Sequence, residues 1–356
     1  MELEFPWWLR ITHYINIVFL FFLIRSGIEI LASHPKLYWN DHSKPGSEWA
    51  RFTKKTMPKD KLYDTLDEEE SYSSVVSMPG HKELGLGRHW HFFSVIVWIL
   101  TGVSYVALLF LDDQWRHLIP TSWSVFPEAW QAMLSYLSFQ LPEHEGTYNA
   151  LQKLAYASVV FILAPFQILT GAAQSPAIEA RFPWYVRMWG GRQWARSLHF
   201  FGLLAFLAFV VVHVLMVVVH GFGREMTLMV YGRERPELAT SAAIIGIVGI
   251  LGVVAIHIAA TKLTLGYKRD TQRLLGAVVE GTRKLLLSPL TSRQDYSRAE
   301  LTPEHRVNGK PPDDDGYKVM AAHNFADYKL EVGGLVERPM IFTLEDLRTF
   351  PTKQTQ

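Results

Sequence analysis

The sequence predicts an all-α membrane protein, with a four-helix transmembrane bundle, a fifth transmembrane helix and a short partial α+β tail. Five apolar blocks, near residues 7–32, 91–111, 151–171, 197–220 and 241–263, are each long enough to cross a hydrocarbon core, which takes about 20 residues. Many of the 12 Trp and 14 Tyr lie near block ends, as in an interfacial aromatic belt. The chain has no Cys, which excludes disulfides and Cys-held metals.

The first block is not a signal peptide, because it is too long, acidic residues precede it and no small-residue cleavage site follows it. Residues 1–265 are predicted to form the transmembrane domain, in which 33–88 is a polar loop. Residues 221–240 are expected to be a short polar connection. In the following segment, 266–317, Lys and Arg alternate with Leu and Val over 267–287, which predicts a basic amphipathic helix ahead of a linker.

The tail, residues 318–356, changes character. Apolar and polar residues alternate over 328–332 and are followed by Gly333-Gly334, which predicts a strand and a turn. Thr343 begins a sequence typical of a capped helix start. This stretch is too short to enclose a core, so we expect a truncated second domain.

Two histidines in one apolar block point to a function. His199 and His213 lie fourteen residues apart, a rise of about 21 Å that returns to within about 40° of the same helix face. One helix would therefore present two imidazoles at two depths. Ionisable groups at membrane depth are costly and mark functional sites. Two stacked b-type haems, one near each membrane face, would need this arrangement.

The direction in which each span crosses the membrane places other histidines at the same depths as these two. If the chain begins on side A and the next span begins on side B, His13 lies at the depth of His213. His91 likewise lies at the depth of His199, and His89 competes with His91 for that place. The pairs His13–His213 and His91–His199 are therefore predicted to bind haem iron.

An arginine precedes three of these histidines by one helical turn. The three repeats are Arg10-x-x-His13, Arg88-x-x-His91 and Arg196-x-x-His199. A haem held by each histidine would turn its propionates toward the interface, where a guanidinium can form a charge-assisted pair. The repeated pattern favours His91 over His89 as the ligand.

Arg25 is the other charge inside a span. It lies about 18 Å beyond His13 toward side B. One interpretation is a contact with a propionate of the side-B haem, and the other is an arginine that extends to the interface.

Two further histidines have weaker assignments. His220 lies seven residues after His213 on the same face and near the interface. It is interpreted either as a quinone-binding or proton-transferring group or as an interfacial cap. His257 lies late in the fifth span without a depth-matched partner, so a buried hydrogen-bonding role is expected.

Residues 1–265 resemble the two-haem cytochrome b subunits of formate dehydrogenase, nickel–iron hydrogenase and thiosulfate reductase. The resemblance rests on Arg10-Ile-Thr-His13-Tyr14, Arg88-His89-Trp90-His91 and the His199/His213 pair. It implies that the four paired histidines are iron ligands from the first, second and fourth helices, and that a quinone reacts near one of two haem b groups. The 33–88 loop and the fifth span depart from the compact four-helix form, so details of the quinone site do not carry over.

Residues 327–351, together with Arg306-Val-Asn-Gly309, resemble the opening of a sulfite-oxidase-type molybdenum-cofactor domain. In that family a cysteine thiolate binds molybdenum further along. This chain has no cysteine, so molybdopterin is expected only in a missing or partner domain.

These observations predict a di-haem cytochrome that moves electrons between the quinone pool and a molybdenum oxidoreductase domain or subunit. Bis-histidine ligation leaves no open iron position, which favours electron transfer over oxygen chemistry. One alternative is the anchor of a separate hydrogenase or formate dehydrogenase. Another is a transporter without haem that uses a histidine relay.

The expected location is a bacterial inner membrane, crossed several times, with lipid and quinone as partners and a homodimer left open. The near-zero net charge gives no reason to expect a nucleic-acid partner. Basic residues favour side B as cytoplasmic, whereas the related cytochromes favour a cytoplasmic N-terminus, so sidedness stays open.

Overall fold

The computed structural model describes residues 4–44, 46–56, 66–142, 148–292, 312 and 314–351. Within them the helices are α1 (Trp7–Ser33), α2 (Leu84–Leu111), α3 (Trp115–Leu118), α4 (Val125–Leu137), α5 (Ala150–Ser158), α6 (Ala164–Ala173), α7 (Pro176–Glu179), α8 (Pro183–Met188), α9 (Arg192–Val219), α10 (Phe222–Tyr231), α11 (Ala239–Gly266), α12 (Lys268–Leu287), α13 (Asp315–Ala322) and α14 (Leu344–Thr349). The strands are β1 (Lys36–Leu37), β2 (Ala50–Arg51), β3 (Lys329–Val332) and β4 (Met340–Thr343). The predicted helical membrane fold is confirmed.

In the part of the chain that the structure describes, five helical stretches are long and apolar enough to cross a membrane: Trp7–Ser33, Leu84–Leu111, Ala150–Ala173, Arg192–Val219 and Pro236–Gly266. The second and fourth begin several residues before the predicted apolar blocks, and the first loop therefore ends at Glu83. The reason is that helical hydrogen bonding continues into the polar interface, whereas hydropathy marks only the part that lies in hydrocarbon.

The third span is not a continuous α-helix. A π-helical turn, Val159–Leu163, joins α5 to α6 and ends two residues before Pro165. Proline has no backbone N–H and cannot make the regular helical hydrogen bond. A local change of winding of this kind is one way in which a helix accommodates that loss.

The spans pack as a bundle with a large apolar exterior. α1 packs along α2, α6 packs against α9, and α10 packs against α11. On α11, Ile244, Val248 and Leu251 are 58%, 62% and 60% exposed. Because each helix satisfies its own backbone groups, such faces can lie against lipid.

The first loop is more ordered than a solvated connection. β1 pairs antiparallel with β2, and Leu37 is 1% exposed. A buried ion pair joins Lys36 to Glu68, and Ser33 Oγ donates to Glu69 Oε1 at 2.8 Å. These contacts fold the described parts of the loop onto the side-B ends of the helices.

The expected polar connection after the fourth span contains a helix instead. α10 lies between Gly221 and Gly232, whose φ angles are +99° and +82°. Left-handed glycine is a frequent helix stop, and one face of α10 is buried. The sequence did not predict this helix, because packing against α11 stabilises it and its own sequence is only moderately apolar.

The amphipathic helix and the tail elements were placed correctly where the structure describes them. α12 buries Leu275 against the start of α2, and Lys268 forms an ion pair with Glu83. In the tail, β3 pairs antiparallel with β4, and Thr343 caps α14 in a capping box. The sequence did not predict β4 or α13. Residues 293–311 of the expected linker lie outside the described residues.

Candidate functional site

The structure brings the predicted histidines together as two pairs. On side B, His91 of α2 and His199 of α9 have ring centres 6.4 Å apart and ring planes at 70°. On side A, His13 of α1 and His213 of α9 have ring centres 6.3 Å apart and planes at 55°. All four residues are partly accessible. α9 therefore supplies one imidazole to each pair.

The competitor His89 points elsewhere. Its Nδ1 lies 2.7 Å from the carbonyl oxygen of Gly85, one turn earlier on α2. A Cβ on Gly276 of α12 would lie 3.4 Å from its Nε2. His89 therefore faces α12, and His91 is the residue opposite His199.

The ring separations fit one metal ion between each pair. With about 2.0–2.1 Å for each metal–nitrogen bond and about 1.1 Å from nitrogen to ring centre, two opposed imidazoles on one ion lie about 6.3 Å apart. No cluster of three or more His, Cys, Asp or Glu that could hold a metal occurs among the described residues. Each pair thus offers two imidazole ligands, which would suit a metal whose other donors come from a macrocycle.

On side B, hydrogen bonds orient His91. Its Nδ1 lies 3.0 Å from Ser26 Oγ of α1. The serine hydroxyl donates to the carbonyl of Phe22 at 2.6 Å, so it accepts the proton of the imidazole Nδ1. This fixes the neutral tautomer and leaves Nε2 as the metal-binding nitrogen.

His199 is oriented in the same way from α6. Its Nδ1 lies 3.1 Å from the carbonyl oxygen of Gln167 and 3.2 Å from Thr170 Oγ1. A carbonyl can only accept, so Nδ1 carries the proton and Nε2 is again the metal-binding nitrogen.

Glycines follow both hydroxyl residues and allow close approach to the rings. A Cβ on Gly171 would lie 3.2 Å from His199 Cε1, and one on Gly27 would lie 3.7 Å from His91 Cε1. On side B, each histidine is therefore contacted by the same two-residue pattern, a hydroxyl residue followed by a glycine.

The side-A pair is supported differently. The ring of Phe209 stacks on His213 with centres 5.6 Å apart, and Tyr156 meets the same ring at 6.0 Å. The buried Nδ1 of His13 has no hydrogen-bond partner among the described residues. Buried nitrogen atoms rarely lack a hydrogen-bond partner. A bound group that is not part of the polypeptide would explain this exception.

Three of the arginines predicted to bind propionates lie at the interfaces. Arg10 donates from Nη1 to the carbonyl of Val230 at 2.8 Å, and its Nε is buried without a partner. Arg196 donates to the carbonyls of Lys36 and His34 in the first loop. Arg88 is exposed at the side-B end of α2.

Arg25 lies in a polar network with α11. It donates to His257 Nδ1 and Thr261 Oγ1, at 3.0 Å each, and to the carbonyls of Ser74 and Ser77. His257 is 8% exposed, as expected for a buried hydrogen-bonding role. The terminal nitrogens of Arg25 are thus hydrogen-bonded to protein acceptors, as those of Arg196 are, and its contact with a haem propionate stays a prediction.

His220 lies in a hydrogen-bonded cluster on side A. Its Nε2 is 3.1 Å from the hydroxyl of Tyr136 on α4, and Asn149 Nδ2 donates to that hydroxyl at 2.9 Å. Burial raises the pKa of Tyr136, while the Asn149 hydrogen bond opposes this and the charge of Glu225 adds to it. His220, which caps the C-terminal end of α9, is therefore also part of an interfacial hydrogen-bonded network.

Sequence reasoning missed the supporting residues. Ser26, Thr170 and Gln167 orient side-B histidines, and Tyr136 contacts His220 from a segment that showed no metal or catalytic motif. A hydroxyl residue followed by glycine inside an apolar span was the available signal. This pattern identifies a residue that supports a histidine only when the neighbouring helix and its rotation are known.

Comparison with known proteins places this site in a family. The sequence profile of the family described as "Prokaryotic cytochrome b561" matches residues 4–232, which include all four paired histidines. A candidate protein-methionine-sulfoxide reductase subunit, YedZ1, of Azospira oryzae is 27% identical over 218 residues, covering 60% of this chain and 88% of the relative. No solved structure matches the chain.

Proposed function

The chain belongs to the prokaryotic cytochrome b561 family and is a multi-pass membrane haem protein, and we propose that it carries two haem b groups as a transmembrane electron relay. The relay would connect the quinone pool with a molybdenum-cofactor oxidoreductase domain or subunit. Two facing histidine pairs carry this proposal. Their ring centres lie 6.3 Å and 6.4 Å apart, and α9 contributes one histidine to each pair.

His13 and His213 would hold one haem, and His91 and His199 the other. When bound, haem supplies one-electron redox chemistry, and bis-histidine ligation favours electron transfer. The residues of this chain fix the two imidazoles, exclude water and set the local polarity. Arg10, Arg88 and Arg196 lie toward the interfaces and would pair with propionates.

The quinone end of the relay is proposed on side A. His220 and Tyr136 form a hydrogen-bonded pair there, and His220 lies two helical turns, about 10 Å, beyond His213 on the same helix face. A quinone head group presents carbonyl or hydroxyl oxygens, for which imidazole and phenol are suitable partners.

The oxidoreductase end is proposed on side B, where the fifth span ends and α12 begins. The relative YedZ1 is named as a reductase subunit, which favours a reductase partner over a hydrogenase or formate dehydrogenase. Molybdenum is proposed as the metal of this partner because the tail resembles the start of a molybdenum-cofactor domain. A transporter without haem is not carried forward, because the family is one of cytochromes.

The proposal is tested on the tagged full-length chain, purified from its own membranes. We expect menadiol to reduce haem b in the preparation, and a co-purifying protein to contain molybdenum in a measured amount near one per chain. Haem that menadiol does not reduce would contradict the quinone assignment. A partner that carries nickel and iron, with no molybdenum, would contradict the partner assignment.

Thr170→Val is expected to weaken haem binding on side B. The substitution removes one of two acceptors for His199 Nδ1, and loss of such outer-shell bonds costs about 10–100-fold in metal affinity. Because Gln167 remains, we expect the lower end of that range, measured as faster haem release to excess apomyoglobin. Thr101→Val is the matched control, since its hydroxyl bonds only the carbonyl of Val97 in its own helix. Equal release rates in both variants would refute the role of Thr170.

A further inference from the structure

α12 is a helix of 20 residues to which the proposed relay assigns no role, and both of its ends are fastened to the bundle. At its start, Lys268 forms an ion pair with Glu83, the residue that precedes α2. At its end, the carbonyl oxygen of Leu287 accepts a hydrogen bond from Arg181 Nε at 3.0 Å. The two anchors are separated by about 30 Å of helix.

Both anchors of α12 belong to the same side of the bundle. Glu83 precedes the second span, and Arg181 lies in the connection between the third and fourth spans, so both lie on side B. Between the anchors α12 packs against the start of α2, where Leu275 is buried and a Cβ on Gly276 would lie 3.4 Å from His89 Nε2. A helix that is held at both ends on one side of the bundle runs along the membrane surface.

An apolar stripe runs along a face of α12 that does not pack on α2. Leu274, Val278 and Leu285 form this stripe and are 71%, 41% and 78% exposed. Their spacing of four and seven residues places them on one side of the helix. Contiguous exposed apolar side chains of this kind mark a surface that binds a membrane or another protein.

The helix that leads into α12 favours a membrane as the occupant. Ile258 and Leu263, late in the fifth span, are exposed on its outer surface, as lipid-facing residues are. Tyr267 is exposed between α11 and α12, and tyrosine is enriched where a span leaves the hydrocarbon. The apolar stripe begins seven residues after Tyr267, two turns along the helix, and therefore continues a surface that already faces lipid.

The charges of α12 fit an anionic surface. The helix has five basic and two acidic side chains, a net charge of +3. Arg269, Arg273 and Lys284 form a basic face about 120° around the helix from the apolar stripe. Arg269 and Lys284 form no ion pair among the described residues, and Arg273 has a long one with Asp270, at 3.9 Å. An amphipathic helix with a basic polar face is attracted to the phosphates of anionic lipids.

We propose that α12 lies in the side-B membrane interface and binds anionic phospholipid. The apolar stripe lies among the acyl chains at the level of the head groups, and the basic face contacts lipid phosphates. This binding surface does not depend on the assignment of the haems, and its test does not use them.

The test uses the absence of cysteine from the chain. Val278→Cys gives the full-length protein one site for a bimane label within the apolar stripe. The labelled protein is placed in nanodiscs of phosphatidylcholine, with or without about 30% phosphatidylglycerol, and quenching by lipid with a spin label on its acyl chain is measured against discs without spin label. We expect the lipid to quench the label, and about twofold more strongly in the anionic discs.

Glu280→Cys is the matched control for the position of the label. Glu280 is exposed and lies on the side of the basic face, two residues from Val278. A label there should be quenched by iodide in the water and only weakly by the spin-labelled acyl chain. Equal quenching by this lipid at both positions would contradict the orientation of the apolar stripe.

A second set of variants tests the basic face. In the Val278→Cys protein, the combined changes Arg269→Gln, Arg273→Gln and Lys284→Gln should abolish the increase in quenching that phosphatidylglycerol causes. The combined changes Arg269→Lys, Arg273→Lys and Lys284→Arg keep the charge and should keep the increase. This pair of variants separates the loss of charge from damage to the helix.

Three results would overturn the proposal. A label at position 278 that neither iodide nor the lipid quenches would show that protein covers the apolar stripe, from a partner or a second copy of the chain. A label that iodide quenches freely would show that the stripe lies in water. Lipid quenching that does not respond to phosphatidylglycerol would show that α12 has no preference for anionic lipid. The proposed relay stands in each case.

Discussion

Replacing His213 by alanine is expected to remove the side-A haem and to leave the side-B haem in place, whereas His199→Ala should have the opposite effect. Each histidine contributes to one pair only, and the two pairs share α9 without sharing a ligand. Each substitution removes one of the two imidazoles that would hold that haem, so the remaining histidine alone would have to bind it. We expect each variant to retain about one haem b per chain, measured as the pyridine haemochrome.

The matched control for these variants is His89→Ala. His89 lies two residues from His91 on α2, but its ring faces Gly85 and α12. It should therefore keep both haems. Loss of a haem in His89→Ala, together with a full complement in His199→Ala, would show that the side-B pair is assigned wrongly.

Gly171→Leu is expected to displace His199 and to abolish haem binding on side B. A Cβ at this position would already lie 3.2 Å from His199 Cε1 and 3.5 Å from its Nδ1, so the branched end of leucine has no room. The ring must move away from His91 or the two helices must separate, and overpacking of this kind costs about 1–3 kcal/mol. We expect the side-B haem to be absent from the purified protein and the side-A haem to be retained.

Gly249→Leu provides the control for Gly171→Leu. Gly249 lies on α11, and a Cβ there would meet nothing within 4 Å. The same increase in size in a membrane helix should therefore leave both haems bound. If Gly171→Leu also keeps both haems, the close packing of α6 on His199 does not control the site.

The positions of the histidines could be predicted because membrane helices are nearly regular. Hydropathy placed the spans, and the rise per residue placed His13, His91, His199 and His213 in two layers before any packing was known. The pairing follows from depth alone. The choice between His89 and His91 needed more, because both lie at nearly the same depth and differ mainly in direction around α2.

The supporting residues could not be predicted because they depend on how the helices are rotated against one another. Ser26 lies opposite His91, and Thr170 lies opposite His199, only for one rotation of α1 and α6. Sequence spacing within a helix carries no information about this rotation. The role of Arg25 was open for the same reason, since its partner His257 lies 232 residues away on α11.

The short elements outside the membrane spans were less predictable than the spans themselves. α10 was missed because its sequence is only moderately apolar and its stability comes from packing on α11. The charged residues of this segment looked like a solvated connection when the sequence was considered by itself.

The most direct test of the account is the dithionite-reduced minus oxidised spectrum of the purified full-length chain, with haem quantified as the pyridine haemochrome. Two histidine pairs predict about two haem b groups per chain, both with the spectrum of bis-histidine ligation. A chain that binds one haem would contradict the relay, and a chain that binds none would contradict the assignment of the histidine pairs altogether.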